Sequence, residues 1–188
     1  MLIDLDPPEI ESKKPDTGES TEPFNTLFKA FACYSDITRD EFEPMFSLLE
    51  RVTAREGLVL WRQGDDSNSG LYIIESGILR ASYVFADYTP RTEESMVPGA
   101  LAGELSALSG MPRNSTVTVE REAVLWKLSI ENLRRLEVDD PRLARKFVQL
   151  VLKGEQCKLS LLSFDGPVLL TAAKIDYDIL LSALATRQ

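Results

Sequence analysis

Histidine is missing from this chain altogether. That removes histidine-ligated zinc, serine–histidine nucleophiles and imidazole acid–base chemistry together. Cysteine is nearly missing: Cys33 and Cys157 stand alone, at no metal-binding spacing. With few cysteines and no basic-then-apolar layout at the N-terminus, the expected setting is a reducing interior. No apolar run approaches the about 18 residues that a spanning helix needs, so no direct membrane insertion is expected. A basic excess is also lacking. Lys and Arg number 21 against 30 Asp and Glu, a net charge of −9, which argues against nucleic acid as a partner. What is present, 188 residues of which 44% are hydrophobic, supports one domain of ordinary size with a tail or two.

The most informative stretch runs from Val97 to Val119, V-P-G-A-L-A-G-E-L-S-A-L-S-G-M-P-R-N-S-T-V-T-V. It reads as strand, tight turn, short helix, loop and strand. The helix is expected to open at Gly103-Glu104-Leu105-Ser106. A helix N-terminus offers unpaired N–H groups and partial positive charge to an anion, and Gly103 lets backbone approach a ligand without a Cβ in the way. Arg113 follows, and its planar, permanently charged fork matches phosphate geometry. Glu104 is an acceptor for sugar hydroxyls. A phosphate binder beside a hydroxyl binder describes a pocket for a ribose phosphate.

Around this stretch the chain alternates short apolar runs with turn chemistry. Residues 1–23 carry seven acids against Lys13 and Lys14 and are broken by prolines, so they are expected to be a disordered acidic tail. Phe24, Leu27, Phe28 and Phe31 recur at helical spacing. Thr38-Arg39-Asp40-Glu41 fits a capping box, with Pro44 expected to kink that helix or delay its start. Strands are expected at Leu58–Trp61, Leu71–Ile74, Ile78–Phe85, Thr92–Val97, Val117–Glu120 and Ala123–Leu128, with Glu75-Ser76-Gly77 a tight turn. Ser129 and Asp140-Pro141 are expected to cap two helices, the second carrying Leu143, Phe147, Leu150, Val151 and Leu159, with Gly154 as a potential break. Residues 164–188 form a C-terminal extension in which Ile175–Leu184 fits a helix. Trp61, Tyr72 and Trp126 read as core or rim packing, and the acidic pairs Glu93-Glu94 and Asp139-Asp140 as solvated turn or cap residues without a third oxygen ligand for a metal.

G-E-L-S-A-L, a spacer and P-R-N-S-T-V resemble the phosphate-binding cassette of the cyclic nucleotide-binding domain family, approximately F-G-E-L-A-L, spacer, P-R-x-A-T-V. L-x-x-Q-G-D and G-L-Y-I-I-E-S-G resemble that family's first half, with Gly64 and Gly77 at hairpin corners. The resemblance implies a mainly β fold with flanking helices, a jelly-roll-like β-roll of eight strands with N-terminal and C-terminal helices, over residues 24–163. It also implies that Glu104 holds the ribose 2′-hydroxyl and Arg113 the cyclic phosphate, with the N–H groups of Leu105 and Ser106 assisting. The sequence departs from the pattern at Ala102, usually aromatic, and at Asn114 and Ser115, usually small. Guanine preference in the family often leans on a hydroxyl just after the arginine. Asn114 stands there, so cyclic AMP is expected to be preferred weakly if at all.

L-W-R-Q-G-D, G-I-L-R-A, A-G-E-L-S and L-W-K-L resemble, more narrowly, the C-terminal cytoplasmic domain of fungal SulP-type anion (sulfate) transporters. Two functions are therefore carried forward. One is a non-enzymatic regulatory domain with cyclic AMP or cyclic GMP as candidate ligand in a site of Gly103, Glu104, Leu105, Ser106, Arg113, Asn114 and Ser115. It would need no cofactor or metal and would lie in the cytoplasm, with a transporter or STAS domain of a longer protein as partner. The alternative is a ligand-free structural or interaction domain with a degenerate pocket.

Overall fold

The computed structural model describes residues 11–13, 24–25, 27–29, 36–84 and 92–162. In chain order its elements are β1 (Glu11–Lys13), α1 (Arg39–Phe46), β2 (Glu50–Ala54), β3 (Val59–Trp61), β4 (Leu71–Tyr83), β5 (Thr92–Met96), β6 (Leu101–Ala102), α2 (Glu104–Ser109), β7 (Thr116–Leu128), α3 (Ile130–Asp139) and α4 (Pro141–Leu162). Residues 24–25 and 27–29 are also helical.

The strands pair antiparallel in the order β1-β2-β7-β4-β5, with β3 on β7 and β6 on β4. The spine is the β4–β7 ladder, from Leu71 opposite Leu128 to Ser82 opposite Thr116. Side chains alternate across a strand, and here both faces are buried. Leu71 and Ile73 join the cluster under the helices, whereas Tyr72 and Ile74 face the interior of the roll. On β7, Trp126 and Leu128 take the helical side and Leu125 the roll interior. This is the mainly β roll with flanking helices that the sequence leads one to expect, with seven strands among the described residues.

Three local expectations change. Glu75-Ser76-Gly77 is no hairpin turn: β4 runs through it with register shifts between Ile74 and Leu79. Gly77 adopts φ +90°, and a Cβ there would collide with Glu122 O and with Ala123. The glycine therefore serves a bulge where two long strands bend closely past each other. For the same reason Val117–Glu120 and Ala123–Leu128 are one strand, β7. The segment after α1 is β2, a strand absent from the sequence reading, with Val52 and Ala54 buried and Thr53 exposed. Part of the acidic tail is ordered: β1 pairs with β2, Glu11 opposite Thr53 and Lys13 opposite Arg51. The other tail residues and the extension from 164 on, including the helix expected at Ile175–Leu184, lie outside the described residues.

The helices follow their caps. Thr38 and Glu41 complete a capping box, the Thr38 N–H donating to Glu41 Oε2 at 2.8 Å. Pro44 lies inside α1, which ends two residues later and does not start late. Ser129 Oγ accepts from the Asn132 N–H at 3.1 Å, and Asp140 Oδ1 from the Leu143 N–H at 3.0 Å. Leu143, Phe147, Leu150 and Val151 are buried with Phe42, Phe46 and Trp126, and α4 continues unbroken through Gly154. Lys146 Nζ donates to Glu41 at 2.8 Å, tying α4 to α1.

Candidate functional site

The site is built on the turn from β6 into α2. Gly103 caps the helix at φ +79°, a left-handed conformation that favours glycine. The first bond within the helix runs from the Ala107 N–H to Gly103 O at 3.0 Å. The N–H groups of Glu104, Leu105 and Ser106 therefore have no partner within the helix. Gly110 ends α2 at φ +70°. The loop beyond it is pinned twice. Ser106 Oγ donates to Pro112 O at 3.2 Å, and Arg113 exchanges backbone bonds with the 62–66 turn, its N–H to Asp65 O and the Gly64 N–H to its carbonyl, both 2.8 Å.

This lacing delivers Arg113 to the interior, where it is 1% exposed. Nη1 donates to Gly103 O at 2.9 Å, and Nη2 donates to Ser69 Oγ and Gly70 O, each at 2.6 Å. The guanidinium carbon lies 4.3 Å from the centroid of Trp61, whose ring stacks in turn on Tyr72 at 5.8 Å. Nε is buried without a hydrogen-bond partner. All three acceptors are neutral oxygens. Burial lowers the Arg113 pKa from its ordinary value, with Tyr72, Glu104 and Asp65 opposing that effect. Tyr72 moves upward by burial, against the pull of Arg113. Gly103 is required by the arginine itself, because a Cβ there would collide with Arg113 Nη1 and come within 3.1 Å of Trp61 Cη2.

Gly103 also borders a cavity of about 80 Å³. Gly103, Glu104, Leu105, Ser106, Asn114 and Ser115 border it from the α2 turn and the loop, and Tyr83, Glu94 and Met96 from β4 and β5. Six of the seven residues singled out by sequence thus surround one hollow. The Arg113 guanidinium is not part of its lining. Glu104, Ser106 and Ser115 are buried, while Leu105 is exposed. A larger open depression of about 680 Å³, along Arg55–Arg62 and Asp65, contains none of the seven. Among the described residues no cluster of acids and cysteines is arranged to hold a metal, and no helix is long and apolar enough to cross a membrane.

Sequence reasoning missed three participants. Trp61 read as packing, yet it is the platform under Arg113. Tyr83 went unremarked. Glu94 read as a solvated turn acid, but it sits on β5 two residues before the buried Met96, and period-two alternation was the signal that puts it on the inner face.

Residues 51–139 match the family model described as cyclic nucleotide-binding domain. The chain is 26% identical over 139 residues to a cAMP-dependent protein kinase regulatory subunit of Dictyostelium discoideum, covering 74% of this chain and 42% of that protein. It is 34% identical over 109 residues to the acetyltransferase Pat of Mycolicibacterium smegmatis, covering 58% of this chain and 32% of that protein. The chain thus spans less than half the length of either relative. Its fold is similar to a solved cyclic nucleotide-binding domain from Methylobacillus flagellatus, with TM-score 0.67 and 20% identity over 73% of this chain and 78% of that one.

Proposed function

We propose that the chain, whose residues 51–139 match the cyclic nucleotide-binding domain model, binds a cyclic nucleotide, cyclic AMP or cyclic GMP, as a regulatory module without catalysis of its own. The observation that carries this function is the state of Arg113. A cation buried to 1% exposure has only neutral acceptors and an unpartnered Nε, one peptide unit from a cavity that also holds the buried Glu104. An uncompensated buried charge is costly, and an anion entering beside Gly103 would offset that cost. In the bound state the cyclic phosphate takes Arg113 and the N–H groups of Leu105 and Ser106, the ribose hydroxyl takes Glu104, and Asn114 and Ser115 flank them.

Binding requires the hollow to widen, because about 80 Å³ falls well short of the roughly 300 Å³ at which small-molecule pockets begin. Calorimetric titration with cyclic AMP and cyclic GMP tests the function. Micromolar binding is expected, weakened about 100-fold in Arg113→Lys and in Glu104→Gln, as loss of a charge-assisted bond predicts. Both variants are checked for folding by circular dichroism. No heat at millimolar ligand refutes binding and supports the alternative, a ligand-free interaction domain. The small volume of the hollow and the three bonds already made by Arg113 favour that alternative.

Two finer statements belong to the same proposal. The stretches L-W-R-Q-G-D, G-I-L-R-A, A-G-E-L-S and L-W-K-L support a position for the domain at the cytoplasmic face of a SulP-type anion transporter, beside a STAS domain. The full transcript tests this by encoding, or lacking, those segments. Because one relative is an acetyltransferase, the non-catalytic assignment is made for this domain alone, and an acyl-transfer assay on the whole gene product checks it.

A further inference from the structure

Glu94 borders the cavity, and the proposed contacts to phosphate and ribose leave it unused. In the β4–β5 ladder Ala81 stands opposite Glu94, and Leu79 opposite Met96. Ala81, Tyr83, Glu94 and Met96 all border the hollow. Tyr83 and Glu94 are half-buried there, and the Tyr83 hydroxyl donates to Glu94 Oε2 at 3.4 Å. Among the described residues bordering the cavity there is no Lys or Arg. A carboxylate that accepts a long bond from the phenol, with no cation beside it among the described lining residues, presents oxygen lone pairs to whatever occupies the space.

An ionised carboxylate can only accept hydrogen bonds. The part of a ligand that reaches Glu94 must therefore donate. The cassette takes the phosphate and the sugar, which leaves the base for the Tyr83–Glu94 end. The two purines differ in what they bring. Guanine carries adjacent donors, its N1–H and 2-amino group, spaced for two carboxylate oxygens. Adenine offers one amino donor beside a ring acceptor, N1, whose lone pair would face the carboxylate. A site built to accept from a substrate N–H discriminates strongly against an analogue that lacks it, because its own buried polar groups are left unpaired.

We propose that Glu94, oriented by Tyr83, selects the base and that this domain takes guanine in preference to adenine. The proposal rests on the cyclic nucleotide-binding function above. It reverses the weak leaning to cyclic AMP drawn from Asn114, since two charge-assisted bonds outweigh one absent hydroxyl.

Competition binding on the full chain with cyclic GMP, cyclic AMP and cyclic IMP, which keeps N1–H but lacks the 2-amino group, tests it. Cyclic GMP is expected to bind at least about 10-fold more tightly than cyclic AMP, with cyclic IMP between them. In Glu94→Gln, which keeps the size and replaces one acceptor by a donor, the ratio should fall to within about 3-fold. Tyr83→Phe should lower it part of the way while leaving the melting temperature nearly unchanged. A wild-type preference for cyclic AMP, or an unchanged ratio in folded Glu94→Gln, overturns the base assignment and leaves the binding function standing. Failure of all three nucleotides to bind overturns both.

Discussion

Replacing Arg113 by methionine tests whether this side chain is a structural tie as well as a ligand contact. Methionine keeps an unbranched chain that packs on Trp61, and removes the charge and every donor. Three bonds disappear, to Gly103 O, Ser69 Oγ and Gly70 O. Their acceptors fare differently. Gly103 O still accepts from the Ala107 N–H, and Ser69 is only half-buried, so water can replace the lost donor. Gly70 O is the buried orphan. Bonds from a charged donor contribute about 1.5–3 kcal/mol each, and the guanidinium on the Trp61 face about 2 kcal/mol. Against that, the penalty for burying the cation, several kcal/mol, is relieved. The balance is a net destabilisation of about 2–3 kcal/mol, which lowers the melting temperature by about 4–12 °C. Thermal melts followed by circular dichroism, without ligand, read it directly. Arg113→Lys should fall at least as far, because one ammonium cannot span Gly103 O and Gly70 O together and a charge stays buried. A methionine variant melting within about 1 °C of wild type would show that the three bonds contribute nothing net.

Gly103→Ala should destabilise by about 2 kcal/mol, from a non-glycine residue at φ +79° and a Cβ driven into Arg113. Chemical denaturation reads the loss, and a midpoint equal to wild type contradicts the tight apposition. Glu41 is held at about 2, against an ordinary 4.5, mainly by the hydrogen bond from Lys146. A depressed carboxylate stabilises above its unfolded value and loses that stabilisation as pH falls. The melting temperature should thus decline from pH 4.5 toward pH 2, and less steeply in Glu41→Gln; equal slopes would contradict the tie between α1 and α4. Trp126 Nε1 donates to Glu75 Oε2 at 2.7 Å, and that carboxylate also takes Arg51 at 2.8 and 3.0 Å. Trp126→Phe should cost about 1.5 kcal/mol in urea unfolding, and an unchanged midpoint would show that Arg51 alone satisfies Glu75.

The parts of the chain that sequence makes legible are those decided by near neighbours. The capping box at Thr38, the caps at Ser129 and Asp140, and the order from Gly103 to Ser115 depend on residues a few positions apart, and each forms as expected. Gly77 shows the limit. Glu-Ser-Gly is the same local chemistry in a turn and in a bulge, and only the approach of Ala123 and Glu122, far along the chain, decides between them. Val52 and Ala54 alternate as a strand should, but only Ser47, Leu48 and Leu49 separate α1 from β2, and those two leucines blur the boundary. The seat of Arg113 was illegible for a similar reason. Its acceptors at Ser69 and Gly70 and its platform at Trp61 come from turns and strands that the β4–β7 ladder brings together.

The position of α2 gives the proposed binding a route to the rest of the molecule. One side of this six-residue helix borders the cavity through Glu104 and Ser106, while Ala107 packs into the cluster that holds Leu133 and Leu136 of α3 and Leu143 and Phe147 of α4. Leu108 lies against the same cluster. A ligand that widened the hollow beside Gly103 would have to displace α2 or the β4–β5 wall. Close-packed interiors yield by discrete repacking and not by smooth deformation, so movement of α2 would be felt at α3 and α4. The tie from Lys146 to Glu41 would carry the shift on to α1. A nucleotide biases such a pair of packings only through its difference in affinity for them. A hollow of about 80 Å³ makes that difference large, because it is too small to seat a nucleotide without widening. The limit is set by how readily Arg113 trades its bonds to Gly103, Ser69 and Gly70 for a phosphate. If all three must break, much of the ligand's interaction is spent on release. If the unpartnered Nε and the Leu105 and Ser106 N–H groups suffice, the arginine keeps its seat and nearly the whole interaction is available to move the helices.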